Sequence, residues 1–364
     1  MLPAYPISRH LSAKLRVVTL LAVIAVVGVH AYNMSSRFVS AENAAGMTSA
    51  PGVVGFIEYL IAQTLCRWPA ATLFAISGFL FFRNLAPHWP DYARKFRRRL
   101  RTIVVPFLLW SALGLALYML LQALPGSELY FSKDFLGQLS VGRLLEKLLW
   151  TPVPYPLWFL QTLILCIAVS PLLYWPVRWL RWLAVAPFAA LWLLGAPTTN
   201  WSDWKGLAFF TLGAVLALEL RRGSRVAPPA WVGRLLLPLW LACCVLFTAL
   251  LRDEGASWAH TLHKALMCLA VAAMWLGYET YLEPFKDRRV VVALIPFSFV
   301  IFVAQEPLLT ILKRVGLRAL GLSGAVMLAV FFIAPLITLV IVVGAAALAR
   351  RFVPRPYGWL TGSR

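Results

Sequence analysis

The sequence predicts an all-α, polytopic integral membrane protein, and three observations carry that reading. Apolar residues make up 61% of the 364 and charged residues only 13%, with a mean hydropathy of +0.77, a balance that a soluble domain of this length does not present to water. Apolar runs of span length recur along the whole chain, separated by short polar breaks. The remaining charges gather in those breaks, where Lys and Arg outnumber Asp and Glu by 34 to 14. A bilayer core of about 30 Å takes about 20 apolar residues per helix, so the length accommodates about ten spans in a single transmembrane domain over residues 1–364.

The first run, 17–33, follows the basic residues Arg9, Lys14 and Arg16. The second, 68–82, ends at Arg83, and a basic stretch then leads into the third, 102–122. The fourth, 157–175, and a short fifth, 183–195, flank Arg178 and Arg181. The sixth, 206–220, is followed by a loop over 221–234 where Pro, Gly and Ser gather with Arg. Runs at 235–251, 264–282, 291–312 and 324–349 complete the set. With the N-terminus cytoplasmic, about 23 of the 34 Lys and Arg fall on the inner side, as the positive-inside rule requires, and both termini are cytoplasmic. Lys313, Arg314 and Arg318 break the pattern by falling outside. The small residues from Ala41 to Ala45 offer a signal-peptide cleavage site as the alternative reading of the first run. Against it, the run is long, and cleavage there would discard His30.

The net charge of +20 does not indicate nucleic acid, because the basic residues lie between apolar runs and form no soluble basic face. Five cysteines in or beside apolar runs lack zinc-site spacing, so they read as packing residues and no metal is expected.

Ionisable groups inside spans are costly, and their depths converge. Counted from the cytoplasmic ends of their spans at about 1.5 Å per residue, His30, Arg67, Gln161, Gln305 and Glu306 all lie roughly 20 to 23 Å up. Four helices thus share one polar layer. Each residue alone reads as well in bland terms, snorkelling to the interface or making a private interhelical bond, as it does in functional ones. A histidine and a carboxylate at one depth are the minimum kit for proton transfer, which makes His30 the candidate general base and Glu306 its orienter. An acyl-histidine intermediate is the alternative chemistry. Arg67, Gln161 and Gln305 are candidate substrate contacts. So are Tyr155 and Trp158 at the outer mouth of the fourth span, where aromatic faces stack on sugars as well as forming an interfacial belt.

On a helix, Arg94, Arg97, Arg98 and Arg101 share one face. That face is either a lipid anchor or a grip for the phosphates of coenzyme A, with Arg16 as a further member. A pantetheine arm reaches roughly 15 to 20 Å, so a nucleotide held at the inner surface presents its thioester near His30. Acetyl-CoA is therefore the expected donor.

These residues resemble the membrane acyltransferase-3 family over most of the chain. Leu15 and Arg16 leading to Val29, His30 and Ala31 are similar to its opening helix, in which an arginine precedes an essential histidine. Phe74 to Leu80 resembles its second helix, and Arg98 with Arg101, Pro106 and Trp110 its cytoplasmic R-x-x-R element. Leu157 to Leu160 resembles its Leu-Trp-Phe-Leu run, and Ser298 to Pro307 its penultimate helix. Two departures stand out: 13 residues separate Arg16 from His30 where ten are usual, and Gln305 stands where many relatives have histidine. The resemblance implies transfer of acyl groups from cytoplasmic acyl-CoA to glycans across the membrane. The pattern is most similar to the bacterial exopolysaccharide O-acetyltransferases of the xanthan type. It implies an inner-membrane enzyme acting on a polyprenyl-linked oligosaccharide or exopolysaccharide. A transporter or flippase of a lipid-linked glycan shares the span count and buried polar groups, and a structural subunit of an export complex is the third alternative.

Overall fold

The computed structural model describes residues 7–32, 52–125, 127, 136–199, 201–224 and 228–363. The proposed cleavage segment from Ala41 to Ala45 lies outside them. The regular structure of the described residues is all helical, with no strand among them, as the apolar runs require.

Helix α1, Arg9–Ala31, starts where the Ser8 side chain accepts from the Leu11 amide at 3.1 Å, a cap worth about 1 kcal/mol. It is packed on two sides. Val17, Val18 and Ala22 join a cluster with Trp240 and Phe247 of α11, Ala230–Leu251, and Leu266 and Ala270 of α12, Ser257–Leu276. Val23 and Val27 join a larger cluster. That cluster is built on α3, Pro69–Phe82; α7, Trp158–Ala168; α8, Ser170–Leu180; and α10, Trp204–Arg221. It also takes in α14, Ser298–Ala304; α15, Leu308–Leu320; and α16, Gly324–Phe352.

Helix α10 is the hub of the larger group, with 13 of its 18 residues buried. A helix apolar on every side has to be enclosed by others. Its contact with α3 is made backbone to backbone. A Cβ at Gly78 would lie 2.0 Å from the Phe210 carbonyl oxygen, and one at Gly213 2.0 Å from that of Ala75. Lipid gives helices little hydrophobic reason to associate, so such small-residue approaches supply the dispersion that holds them.

Among the described residues, six helices are long and apolar enough to cross a membrane, or eight if each of two bent pairs is one span. The difference from ten has a physical cause at each place. The fourth and fifth runs form one pair, bent by 68° between α7 and α8, where Pro171 opens the new helix. The ninth run is bent by 70° at Pro307, between α14 and α15. The sixth run is α10, whose 18 residues include Lys205, Glu219 and Arg221. The second run extends on its N-terminal side beyond the expected 68–82, through α2, Gly52–Tyr59, and a π-helical segment Leu60–Leu65, before breaking ahead of α3.

Candidate active site

The polar layer around His30 is a layer of helix ends. Helix α1 stops at Ala31, one residue past His30. The second span breaks between Leu65 and Pro69, the ninth between Ala304 and Leu308, and α7 is entered through the short turn Tyr155–Leu157. Broken backbone inside a membrane protein survives only where protein or a water-lined cavity surrounds it.

These ends meet around His30. Its Nδ1 lies 3.8 Å from Glu306 Oε1, with the two side chains 9% and 10% exposed. That is ion-pair range and longer than a hydrogen bond, a common state for an unliganded site. The Tyr155 ring stands edge-on to the imidazole at 5.3 Å between centroids. The imidazole therefore faces protein. The carboxylate sits at the α14–α15 bend, so the position of Pro307 in the sequence decides where Glu306 points.

Lys313 was not anticipated as a site residue. It is buried on α15, and its Nζ donates to the carbonyls of His30, at 2.5 Å, and Tyr32, at 3.3 Å. These are carbonyls at the end of α1 that lack helical partners, and a cation is favoured at that negative end. The charge that violated the positive-inside pattern is thus a cap on the helix that carries the histidine. Glu58 of α2 is buried within electrostatic reach of Lys313. An ionisable residue in the apolar stretch 52–65 was the available signal, and only the extension of the second span outward gave it meaning.

The remaining candidates separate into two groups. Arg67 is exposed at the break before α3, within electrostatic reach of Tyr32, Tyr59 and Tyr155. Tyr155 is 61% exposed. These two border the space near His30. Trp158 lies under the Lys205 ammonium, 5.0 Å from its ring, and against Phe74 at 6.4 Å. Gln161 is fully buried and donates to the Leu149 and Trp150 carbonyls at 2.9 and 3.0 Å, closing the end of α6, Val141–Leu149. Gln305 is fully buried and donates to Phe302 within its own span. Both glutamines are held by backbone.

Beyond the C-terminal end of α3, α4, Trp89–Arg99, continues through a π-helical segment Leu100–Val104 into α5, Val105–Gln122. Arg94, Arg97, Arg98 and Arg101 are all exposed, and Arg94 pairs with Asp91. Among the described residues no carboxylate pairs with Arg97, Arg98 or Arg101. A second face of α4 was missed: Lys95 donates to the Phe81 carbonyl, and Arg221 of α10 donates to Phe82 and Leu85 at 3.3 and 2.7 Å. These cations satisfy the carbonyl end of α3. Arg83 caps α3, and burial first, then the Arg98 charge, pulls its guanidinium below its ordinary value. The C-terminal end of α3 is therefore a strongly positive surface.

Arg16 is exposed and bonds back to the Ser12 carbonyl at 3.4 Å, and among the described residues no hydrogen bond or ion pair joins it to α4. The buried cation of this helix end is Lys14. It pairs with Glu279 at 2.5 Å and lies 4.5 Å from the Trp275 ring.

A multi-helix membrane protein with an enclosed histidine–carboxylate pair at one level and a cluster of exposed arginines at another is the class that fold and site define. The chain belongs to the acyltransferase-3 family, whose acyltransferase domain matches residues 14–350. It is 28% identical over 326 residues to the succinoglycan biosynthesis protein ExoH of Rhizobium meliloti (strain 1021), covering 86% of this chain and 84% of that protein. No solved structure matches it.

Proposed function

We propose that this protein moves an acetyl group from cytoplasmic acetyl-CoA to a sugar hydroxyl of a lipid-linked or nascent exopolysaccharide, with His30 as general base. The observation that carries the reading is the pairing of His30 with Glu306 in an acyltransferase. A carboxylate accepting from Nδ1–H fixes the tautomer in which Nε2 carries the lone pair that takes the proton of an acceptor hydroxyl as that oxygen attacks the thioester carbonyl. The tetrahedral intermediate then expels the coenzyme A thiolate, which takes up a proton, and the Glu306 charge steadies the imidazolium in between. A relative named for succinoglycan biosynthesis supports a glycan acceptor.

Sidedness follows from charge. The reading takes α10 as a span and the two arms of the bent pair over 155–193 as separate crossings, which makes ten spans of the inner membrane with both termini cytoplasmic. The arginines of α4 then face the cytosol, where they hold the phosphates of the donor.

The decisive assay uses purified protein in detergent with radiolabelled acetyl-CoA and a glycan acceptor. Label in the glycan is the expected result. A transporter or structural subunit transfers none, and that outcome overturns the reading. In the same assay, replacing Arg98 and Arg101 by alanine is expected to raise the KM for acetyl-CoA by roughly tenfold or more, with a smaller change in kcat. An unchanged KM returns these residues to the role of lipid anchor.

A further inference from the structure

Arg67 has a setting that general acid–base chemistry at His30 does not explain. It occupies the break between the π-helical segment Leu60–Leu65 and α3, and this break is pressed against α1. A Cβ at Gly28 would lie 2.8 Å from Cys66 Sγ, so the glycine two residues before His30 is what lets the break come so close. Arg67 is surrounded by protein groups, among them Tyr32, Tyr59, Tyr155 and His263, yet its surface is exposed. That combination describes a side chain with protein on several sides and an exposed face between them. Among the described residues no carboxylate forms an ion pair with it. A guanidinium kept unpaired in the body of a membrane protein is costly, and such residues mark ligand sites.

The surroundings specify the ligand. Tyrosine hydroxyls and ring faces suit sugars. The outer end of α3, a helix of 14 residues, adds its positive pole beside the guanidinium. Tyr155 joins Arg67 to the His30–Glu306 pair, since its ring packs on His30 and it lies within electrostatic reach of Arg67. His263 contributes no negative charge to this setting, and its Nε2 is engaged with the Gln63 carbonyl at 2.6 Å.

We infer that Arg67 is the receptor for an oxyanion carried by the acceptor, so that the enzyme selects a glycan bearing a negative charge beside the hydroxyl to be acylated. This rests on the acyltransferase reading above. The charge is either a carboxylate on the sugar or the phosphate of the lipid carrier, and both present paired oxygens to the guanidinium fork.

The test measures binding as well as turnover, in full-length protein in detergent. Four acceptors are compared: a neutral oligosaccharide, the same oligosaccharide with one uronic carboxylate, its carboxamide, and the neutral oligosaccharide on a polyprenyl diphosphate. The wild type is expected to bind one charged acceptor at least tenfold more tightly than its neutral counterpart. Arg67→Gln is expected to reduce that ratio to near one, and Arg67→Lys to retain part of it. Preference for the uronate over its carboxamide assigns the anion to the glycan, and preference for the diphosphate assigns it to the carrier. Equal affinities in the wild type, or a ratio unaltered in Arg67→Gln, overturn the inference. If Arg67→Gln is not monodisperse, the wild-type ratios and Arg67→Lys decide. Absence of transfer to every acceptor, with discrimination in binding intact, defeats the acyltransferase reading and leaves the anion site standing.

Discussion

His30→Ala is expected to lose acyl transfer by at least a hundredfold and up to about ten-thousandfold, the range removed with a positioned general base. The protein should still insert and purify, because the side chain is a small part of the packing of α1, whose buried surface runs from Lys14 to Ala31. Glu306→Gln tests the orienting role. An amide of the same shape at 3.8 Å keeps the contact and loses the charge, so the expected loss is smaller and falls on kcat more than on KM. Kinetic order separates the two chemistries open to the imidazole. Direct attack requires donor and acceptor together, whereas an acyl-histidine releases coenzyme A before the glycan binds and shows ping-pong kinetics. Transfer by His30→Ala at the wild-type rate removes the histidine from the mechanism altogether.

Gly213→Leu is expected to prevent the native fold. The added Cβ would lie 2.0 Å from the Ala75 carbonyl oxygen and 2.7 Å from the Phe79 amide nitrogen, and neither atom belongs to a side chain that can move aside. Relief requires α3 and α10 to separate, against the reciprocal contact of Gly78 with Phe210. The cost exceeds the roughly 1 to 3 kcal/mol of ordinary overpacking. Size-exclusion profile and thermal midpoint in detergent report it. Gly142→Ala is the control: nothing lies within 4 Å of the added methyl on α6, so a change under about 1 kcal/mol is expected, in the stabilising direction. Equal behaviour of the two variants would show that the α3–α10 contact does not hold the bundle together.

The legible and illegible parts of the site divide according to what each residue's role depends on. His30 and Glu306 were found because an ionisable group in an apolar run is conspicuous by itself, and their depths agreed by counting residues. Gln161 stood at the same depth, yet the structure turns it to the carbonyls of Leu149 and Trp150. Depth is a coordinate along a helix and carries no information on which side of the helix a group faces. Lys313 was read through the positive-inside rule, which concerns charges near span ends, and the 70° bend before α15 carried it back to the end of α1 instead. Arg16 and Lys14 differ in the same way. Two residues apart on α1, one is exposed and the other is buried against Glu279, an acid 265 positions away.

The sequence alone determined that the chain is helical and lives in a membrane, because hydropathy and charge distribution are sums over local composition and need no knowledge of neighbours. It also determined which side chains are chemically equipped for proton transfer and for holding phosphate. Only the tertiary structure decided which of them meet. That choice depends on where helices break and how closely two backbones approach, at Pro307, ahead of Pro69, and at Gly78 and Gly213. Those are properties of pairs of segments distant in the chain, and a reading that proceeds one span at a time does not contain them.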